Sequence, residues 1–178
     1  MKLELSVTPP AGLKETWPGQ FEIGIWLDNV IPMPGQLFIV TTRKPNGLHN
    51  AQLNAWGLTG GPGSSPCFLF LDNERSDTHK LVKANGEFGI NFCPHSIKEK
   101  AFKTIKHYNE DEDEVIESGL TPIDGLKTNV CRIKECVAHY ECTLEWVKEL
   151  GKGHVLTCGK IVAASVNEEL ITGDMQEK

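Results

Sequence analysis

Between Gln36 and Leu71 the chain alternates structure with punctuation: a β-branched run, a turn, a second run, a glycine-rich loop and a third run. At its centre lies Leu48-His49-Asn50-Ala51-Gln52-Leu53-Asn54-Ala55-Trp56. Read with a strand's period of two, Asn50, Gln52, Asn54 and Trp56 share one face, and Ala51, Leu53 and Ala55 share the other. Such a strand packs small apolar groups inward and turns amides and an indole outward. The outward face either meets water or offers hydrogen bonds to a flat, heteroatom-rich ligand, and the pattern alone leaves both readings open.

The flanking runs set the pairing. Leu37 to Thr42 is β-branched and aromatic, which suits a buried strand. Lys44-Pro45-Asn46-Gly47 carries turn chemistry, with an Asn-Gly pair that accepts positive φ, so the central run is expected to pair antiparallel with the run before it. Gly57 to Pro66 (GLTGGPGSSP) reads as a flexible loop before a third strand, Phe68 to Leu71. It lacks the G-x-G-x-x-G spacing of a dinucleotide fingerprint and the Gly-Lys-Ser/Thr ending of a phosphate-binding loop.

A short helix is expected over His79 to Asn85, with Gly86 at its C-terminal cap. Its start offers free N–H groups, Ser and Thr hydroxyls and Arg75, the ingredients of an anion site. Ordinary capping by Asp77 or Ser76 explains the same residues. Glu87 to Phe92 alternates as a strand. Ser96 to Tyr108 reads as the clearest helix: Ser96 and Glu99 form a capping box, and Ile97, Ala101, Ile105 and Tyr108 share a face. Lys98, Lys100, Lys103 and Lys106 fall on its solvated side, from which one could reach a phosphate.

Glu110 to Glu114 reads as a solvated acidic turn and Ser118 to Gly125 as a loop. Tyr140, Cys142, Leu144 and Trp146 alternate with His139, Glu141, Thr143 and Glu145, a strand buried on one face. Gly151-Lys152-Gly153 turns it into a hairpin with His154 to Val166. Upstream, residues 1 to 20 read as an arm with a short strand at Leu3 to Val7. Phe21 to Val30 matches a strand, and Ile31 to Gly35 forms a proline-stiffened connection. The sum is a mainly β chain with inserted helices, whose antiparallel pairing fits a small closed or split β-barrel.

The 178 residues suit a single domain, 1–178, with the arm at one end and an acidic tail from about residue 167. A net charge of -6 argues against nucleic acid or an anionic membrane as a main partner. No stretch reaches the apolar length of a membrane span, and Met1 to Ser6 has no apolar signal core, so a cytoplasmic protein is expected. The six cysteines (Cys67, Cys93, Cys131, Cys136, Cys142, Cys158) form no C-x-x-C pair and read as buried free thiols. Cys136 and Cys142, read as lying in one strand, stand too far apart to share an ion.

Protein-supplied catalysis finds little support. There is no Gly-x-Ser-x-Gly elbow and no H-E-x-x-H, and no carboxylate pair stands out for acid–base work. No catalytic side chain and no metal ligand set is expected. A cofactor that brings its own reactivity fits better.

The order Pro32-x-Pro34…Val40-Thr41-Thr42…Gly47-x-x-Asn50-x-x-x-x-x-Trp56…Thr78…Gly86-Glu87-Phe88-x-x-Asn91…Gly119-Leu120-Thr121…Ile133-x-Glu135-x-x-x-His139-x-Glu141-Cys142…Gly153-His154…Gly159-x-Ile161 resembles the flavin reductase-like family, and within it the flavoredoxin branch. The resemblance implies an FMN-binding split barrel that forms a homodimer, with flavin near the subunit interface. It implies an NAD(P)H:flavin oxidoreductase, passing hydride from NADH or NADPH to FMN. The alternative is a flavoredoxin-like electron-transfer protein with bound FMN and a protein redox partner.

At matching positions, Asn50 with nearby backbone of Ala51 and Gln52 would meet polar atoms of the isoalloxazine, and Trp56 would wall the ring or bond it through its indole N–H. Arg75, Ser76 and Thr78 would hold the phosphate, and His139 would touch the ring edge or ribityl chain. Many members carry a lysine shortly before Gly-Leu-Thr, where this chain has Glu114. Either a helix lysine such as Lys100 or Lys103 then supplies that charge, or the phosphate is held more weakly.

Overall fold

The computed structural model describes residues 8–15, 18, 20–23, 27, 34–106 and 108–171. Contacts divide the chain into two compact units, Met1–Gly35 and Gln36–Lys178. In the first, the strand expected from Phe21 onward begins instead as one helical turn, α1 (Gln20–Ile23), and the Phe21 N–H donates to Glu15 Oε1 at 2.8 Å. A short apolar run does not by itself separate helix from strand. The strand expected at Leu3 to Val7 lies outside the described residues.

In the second unit β1 (Phe38–Arg43) and β2 (His49–Asn54) form the anticipated hairpin, in register from Arg43 opposite His49 to Phe38 opposite Asn54. The turn closes through Lys44 N–H to Leu48 O at 2.8 Å, with Gly47 at φ 87. The supposed loop after Trp56 opens as a strand, β3 (Gly57–Gly60), paired with β4 (Cys67–Asn73). Its glycines hide the strand because they carry no side chain for a period to show.

Next come α2 (Asp77–Asn85) and β5 (Glu87–Phe92), then a 3-10 turn (His95–Ile97) leading into α3 (Lys98–Lys103). The helix expected over Ser96 to Tyr108 is therefore shorter, and its capping box is not formed: Ile97 is the N-cap and makes no side-chain cap bond. The Thr104 hydroxyl donates back to Ala101 O at 2.8 Å and takes the Leu53 N–H at 2.9 Å, ending the helix there. Past it, α4 (Glu114–Glu117) and the small hairpin β6 (Pro122–Asp124) and β7 (Cys131–Ile133) replace the expected turn and loop. The long strands β8 (Ala138–Gly151) and β9 (His154–Val166) close the order, and Cys136 lies before β8, not within it.

Seven strands join in one antiparallel sheet, β2-β1-β5-β8-β9-β4-β3. Four strand spacings separate β1 from β4, about 19 Å in a flat sheet. Yet the rings of Phe38 and Phe68, one on each, meet edge-on with centroids 5.1 Å apart. The sheet therefore curls around an aromatic core of Phe38, Phe68, Phe70, Phe88 and Phe92. It does not close by a ladder. At the seam Asn54 Nδ2 donates to Leu71 O at 2.7 Å, Leu71 N–H to Trp56 O at 2.9 Å, and Gln52 Nε2 to Asp72 Oδ1 at 3.1 Å. The result is an antiparallel split barrel.

Alternation then builds a second core outside the first. Phe38 and Val40 point into the barrel, while Ile39 between them packs with Ile97, Ala101, Val115, Leu120 and Ile133. This outer layer covers the face of β8 that the sequence pattern assigns to water. Glu141 is fully buried beneath the β6–β7 region and accepts from the N–H groups of Leu126, Lys127 and Thr128 at 2.6, 2.8 and 3.0 Å. Burial would raise its pKa, but those donors with the Thr128 hydroxyl outweigh it and hold the carboxyl below its ordinary value.

Candidate functional site

Beside the seam lies an open cavity of about 360 Å³, assembled from four separate stretches. Edge strand β2 supplies Asn50 to Leu53, and the start of α2 supplies Arg75 to Thr78 and Lys80. The segment after α3 supplies Thr104 to Lys106 and Tyr108, and α4 supplies Glu114. Of the nine residues singled out in the sequence, Asn50, Ala51, Gln52, Arg75, Ser76 and Thr78 come together here.

Trp56, Lys100 and His139 do not line it. Trp56 is 44% exposed beyond the end of β2. Lys100 stands on α3, 3.7 Å from Glu135. His139 is buried in β8, its Nε2 2.8 Å from Ile133 O and its Nδ1 3.0 Å from Ser165 Oγ. A carbonyl accepts only, so Nε2 carries the proton and Nδ1 accepts from the serine hydroxyl. Burial lowers the pKa of this imidazole, in keeping with a neutral ring.

The floor of the cavity is one hydrogen-bonded chain. Ser76 caps α2 by accepting the His79 N–H at 3.0 Å, while its own hydroxyl donates to Asp72 Oδ2 at 2.8 Å. Asp72 also takes the Gln52 amide and the Asn73 N–H. Its burial raises its pKa, and these donors only partly offset that. On the other side, the Thr78 hydroxyl donates to Asn50 Oδ1 at 2.7 Å, and Asn50 Nδ2 lies 3.0 and 2.9 Å from the two oxygens of Glu114. Glu114 takes the Ala51 N–H at 2.9 Å and pairs with Lys44 Nζ at 3.0 Å.

Two readings of the sequence change here. The acidic run is not uniformly solvated: Asp113 and Glu114 are buried, the first capping α4 through Ile116 N–H and contacting His49 Nδ1 at 2.7 Å. The polar face of β2 is not left to water either, since Asn50 and Asn54 are buried and internally bonded. Lys44, Asp72 and Thr104 were not singled out, and Lys106 stood only among the four helix lysines from which one could reach a phosphate. For Lys44 the signal lies in its partners, the carbonyls of Asn109 and Glu112 and the carboxylate of Glu114, all far along the chain.

What remains free defines the chemistry. The Asp77 and Thr78 N–H groups open a nine-residue helix and lie ahead of the capped His79 N–H, so they have no intrahelical acceptor. Arg75 and Lys106 have no carboxylate partner among the described residues, whereas Lys80 pairs with Asp77. Ala51 and Leu53 turn their N–H groups away from β1, to Glu114 and Thr104, so their carbonyls face outward with them. An anion-binding end thus adjoins an edge of hydrogen-bond acceptors. Among the described residues no group of His, Cys, Asp or Glu could hold a metal ion, and no helix is long and apolar enough to cross a membrane.

An open antiparallel barrel with a polar cavity at its edge strand defines a split-barrel class. Residues 31–175 match the model of the flavin reductase like domain, and the chain belongs to the flavin reductase-like family. An uncharacterized protein of Bacillus subtilis (strain 168), YwrF, is 30% identical over 121 residues, 65% of this chain and 57% of that protein. The chain spans about half the length of the curated relatives it matches.

Solved structures share the fold. Nitrilotriacetate monooxygenase component B from Bacillus cereus superposes with a TM-score of 0.77 at 22% identity, over 97% of this chain and 86% of that one. The flavoredoxin of Desulfovibrio vulgaris (Miyazaki F) gives 0.70 at 22% identity, over 79% and 74%. The NADH:FAD oxidoreductase SgcE6 of Streptomyces globisporus C-1027, in complex with NAD and FAD fragments, gives 0.69 at 18%, over 80% and 81%.

Proposed function

We propose that this protein binds FMN in the cavity between β2 and the start of α2 and acts as an NAD(P)H:flavin oxidoreductase. The observation that carries this reading is the pairing of an anion-ready helix start with an outward strand edge around one space of about 360 Å³. That volume falls within the range of small-molecule sites, about 300–1,000 Å³. Family membership and the names of the solved neighbours point the same way.

The residues present fit the group. Arg75 and the N–H groups of Asp77 and Thr78 would hold the phosphate, with Lys106 in reserve for a second charge. The outward carbonyls of Ala51 and Leu53, with Gln52 Oε1, would receive the imide N–H of the ring. Asn50 would act one step back, fixing Thr78 directly and Ala51 through Glu114. When bound, the flavin supplies a ring that accepts hydride from a nicotinamide. The chain's part is to fix that ring's edge, neutralise the phosphate and leave one face open.

A second copy of the chain belongs to the same reading. Trp146, Leu150, Val162 and Val166, spread along the β8–β9 hairpin, are 41, 52, 37 and 47% exposed, apolar side chains that a second copy would cover.

The test is titration of purified protein with FMN, followed by addition of NADH or NADPH. Saturable binding with flavin-dependent nicotinamide oxidation is expected. A protein that takes up no FMN overturns the reading. FMN that binds but is bleached slowly by nicotinamide and quickly by a reduced protein donor replaces the reductase with an electron carrier.

A further inference from the structure

Six cysteines are free, four of them buried and two, Cys67 and Cys93, half-buried. Cys67 and Cys158 lie side by side on β4 and β9 and interact through their side chains, but the pair whose sulfurs are in direct contact is another. Cys93 directly follows β5, and Cys136 lies in the turn between β7 and β8, with their sulfurs 4.0 Å apart.

The sheet itself brings them together. Phe92 stands opposite Ala138, and the Val137 N–H donates to Phe92 O at 3.0 Å. Both cysteines are held by their own main chain, Cys93 N–H to Leu37 O at 3.1 Å and Cys136 N–H to Ile133 O at 3.0 Å. A disulfide needs sulfurs about 2.05 Å apart, so closure asks the two side chains to turn toward each other.

We propose that Cys93 and Cys136 form a redox-active thiol pair, converted reversibly to an intramolecular disulfide by exchange with a low-molecular-weight disulfide such as glutathione disulfide. The flavin reading plays no part in this.

Accessibility assigns the roles. Cys93 is the half-buried sulfur and meets the small disulfide first. Cys136 is 2% exposed in the outer core, and its contact with Cys93 together with burial pushes its thiol up, so it remains protonated until called upon. Cys93 Sγ, as thiolate, attacks one sulfur of the small disulfide. That S–S bond breaks, and one small thiolate leaves and takes a proton from water. Cys136 then yields its proton and attacks Cys93 Sγ in the mixed disulfide, and the second small thiolate departs with that proton. The protein loses two thiol hydrogens and two electrons, and one small disulfide becomes two small thiols. Excess thiol reverses both steps.

The bridge would tie the end of β5 to a turn whose next residue upstream, Glu135, accepts from both the N–H and the hydroxyl of Thr121 at 3.0 Å. Oxidation would therefore stiffen the frame that joins the barrel to its outer layer.

The experiment treats reduced full-length protein with glutathione disulfide, blocks remaining thiols with an alkylating agent, and reads intact mass and a non-reducing peptide map. The expected result is two fewer alkyl groups than the identically treated reduced control carries, a peptide linking Cys93 to Cys136, and recovery of both thiols on reduction. Cys136→Ser should halt at the glutathione adduct on Cys93, and Cys93→Ser should leave Cys136 with neither adduct nor bridge, whatever the half-buried Cys67 does. The wild-type map decides the matter even if a variant folds poorly. Folded protein, checked by circular dichroism, that shows no Cys93–Cys136 peptide, or that links a different pair, overturns the proposal.

Discussion

The amide nitrogen of Asn50 lies within hydrogen-bond distance of both carboxylate oxygens of Glu114, at 3.0 and 2.9 Å. A carboxylate accepts only, so this contact fixes which way the amide points. Asn50 must turn Oδ1 toward Thr78, whose hydroxyl proton is thereby directed into the protein and away from the cavity. One buried charge thus settles the donor and acceptor roles of two residues that line the candidate site.

Breaking that arrangement has a cost that can be measured. Glu114→Gln removes the charge opposite the buried Lys44 ammonium, which keeps the carbonyls of Asn109 and Glu112. Loss of one partner from a buried pair costs about 3–5 kcal/mol, and the surviving carbonyls argue for the lower end. Urea unfolding of Glu114→Gln should show this loss. Lys44→Met combined with Glu114→Gln should recover part of it, because the pair is coupled.

Thr78 and Arg75 should separate in a comparison of FMN with riboflavin, which lacks the phosphate. Thr78→Val leaves Asn50 Oδ1 without its donor and should cost about 1–3 kcal/mol of stability. The ratio of FMN to riboflavin affinity should not change, since that hydroxyl proton points to Asn50. Arg75→Ala should lower the ratio about tenfold, the loss of one charge-assisted contact near the bottom of its usual range. Added salt should shrink the Arg75 effect. A Thr78→Val variant that loses the phosphate preference would show the hydroxyl reoriented toward ligand.

The hairpin, the α2 caps and the placing of Asn50, Gln52, Arg75, Ser76 and Thr78 were legible in the sequence because each rests on local signals: period two, an Asn-Gly turn, Ser76 before the helix and Gly86 (φ 70) after it. Lys44 and Glu114 were not. Their meeting depends on a contact 70 residues apart, and an acidic run ordinarily means solvent. The same holds for Glu141, where strand alternation identified a polar face but could not reveal the loop that covers it. The end of α3 escaped because Thr104 looks like any helical threonine until Leu53 supplies its N–H.

Asn54 joins the two sides of the split. Its Nδ2 donates to Leu71 O at 2.7 Å and its Oδ1 accepts the Trp56 N–H at 2.8 Å. Asn54→Ala removes both bonds at a site only 8% exposed, a loss of about 2 kcal/mol at roughly 1 kcal/mol per bond. Amide hydrogen exchange should rise at Trp56 more than at residues of the β8–β9 hairpin.

Two buried carboxylates should respond to acid with opposite signs. Glu141 has a folded pKa below its ordinary 4.5, since its donors outweigh the burial that alone would raise it. The stability it contributes is whole above the unfolded value and is lost as pH falls through the lower folded value. Asp72 has a folded pKa above its ordinary 3.8, chiefly through burial. Its folded form binds a proton first, so ionisation costs stability as pH rises through the folded value, and that cost disappears in acid. Glu141→Gln should therefore flatten the acid decline in unfolding free energy, from a lower starting stability, because the amide offers one oxygen to four donors. Asp72→Asn should steepen that decline, because it removes the one group of the two that gains on acidification. Chemical unfolding of both variants across the acid range measures the slopes, and slopes that change in the same direction would contradict the assignment.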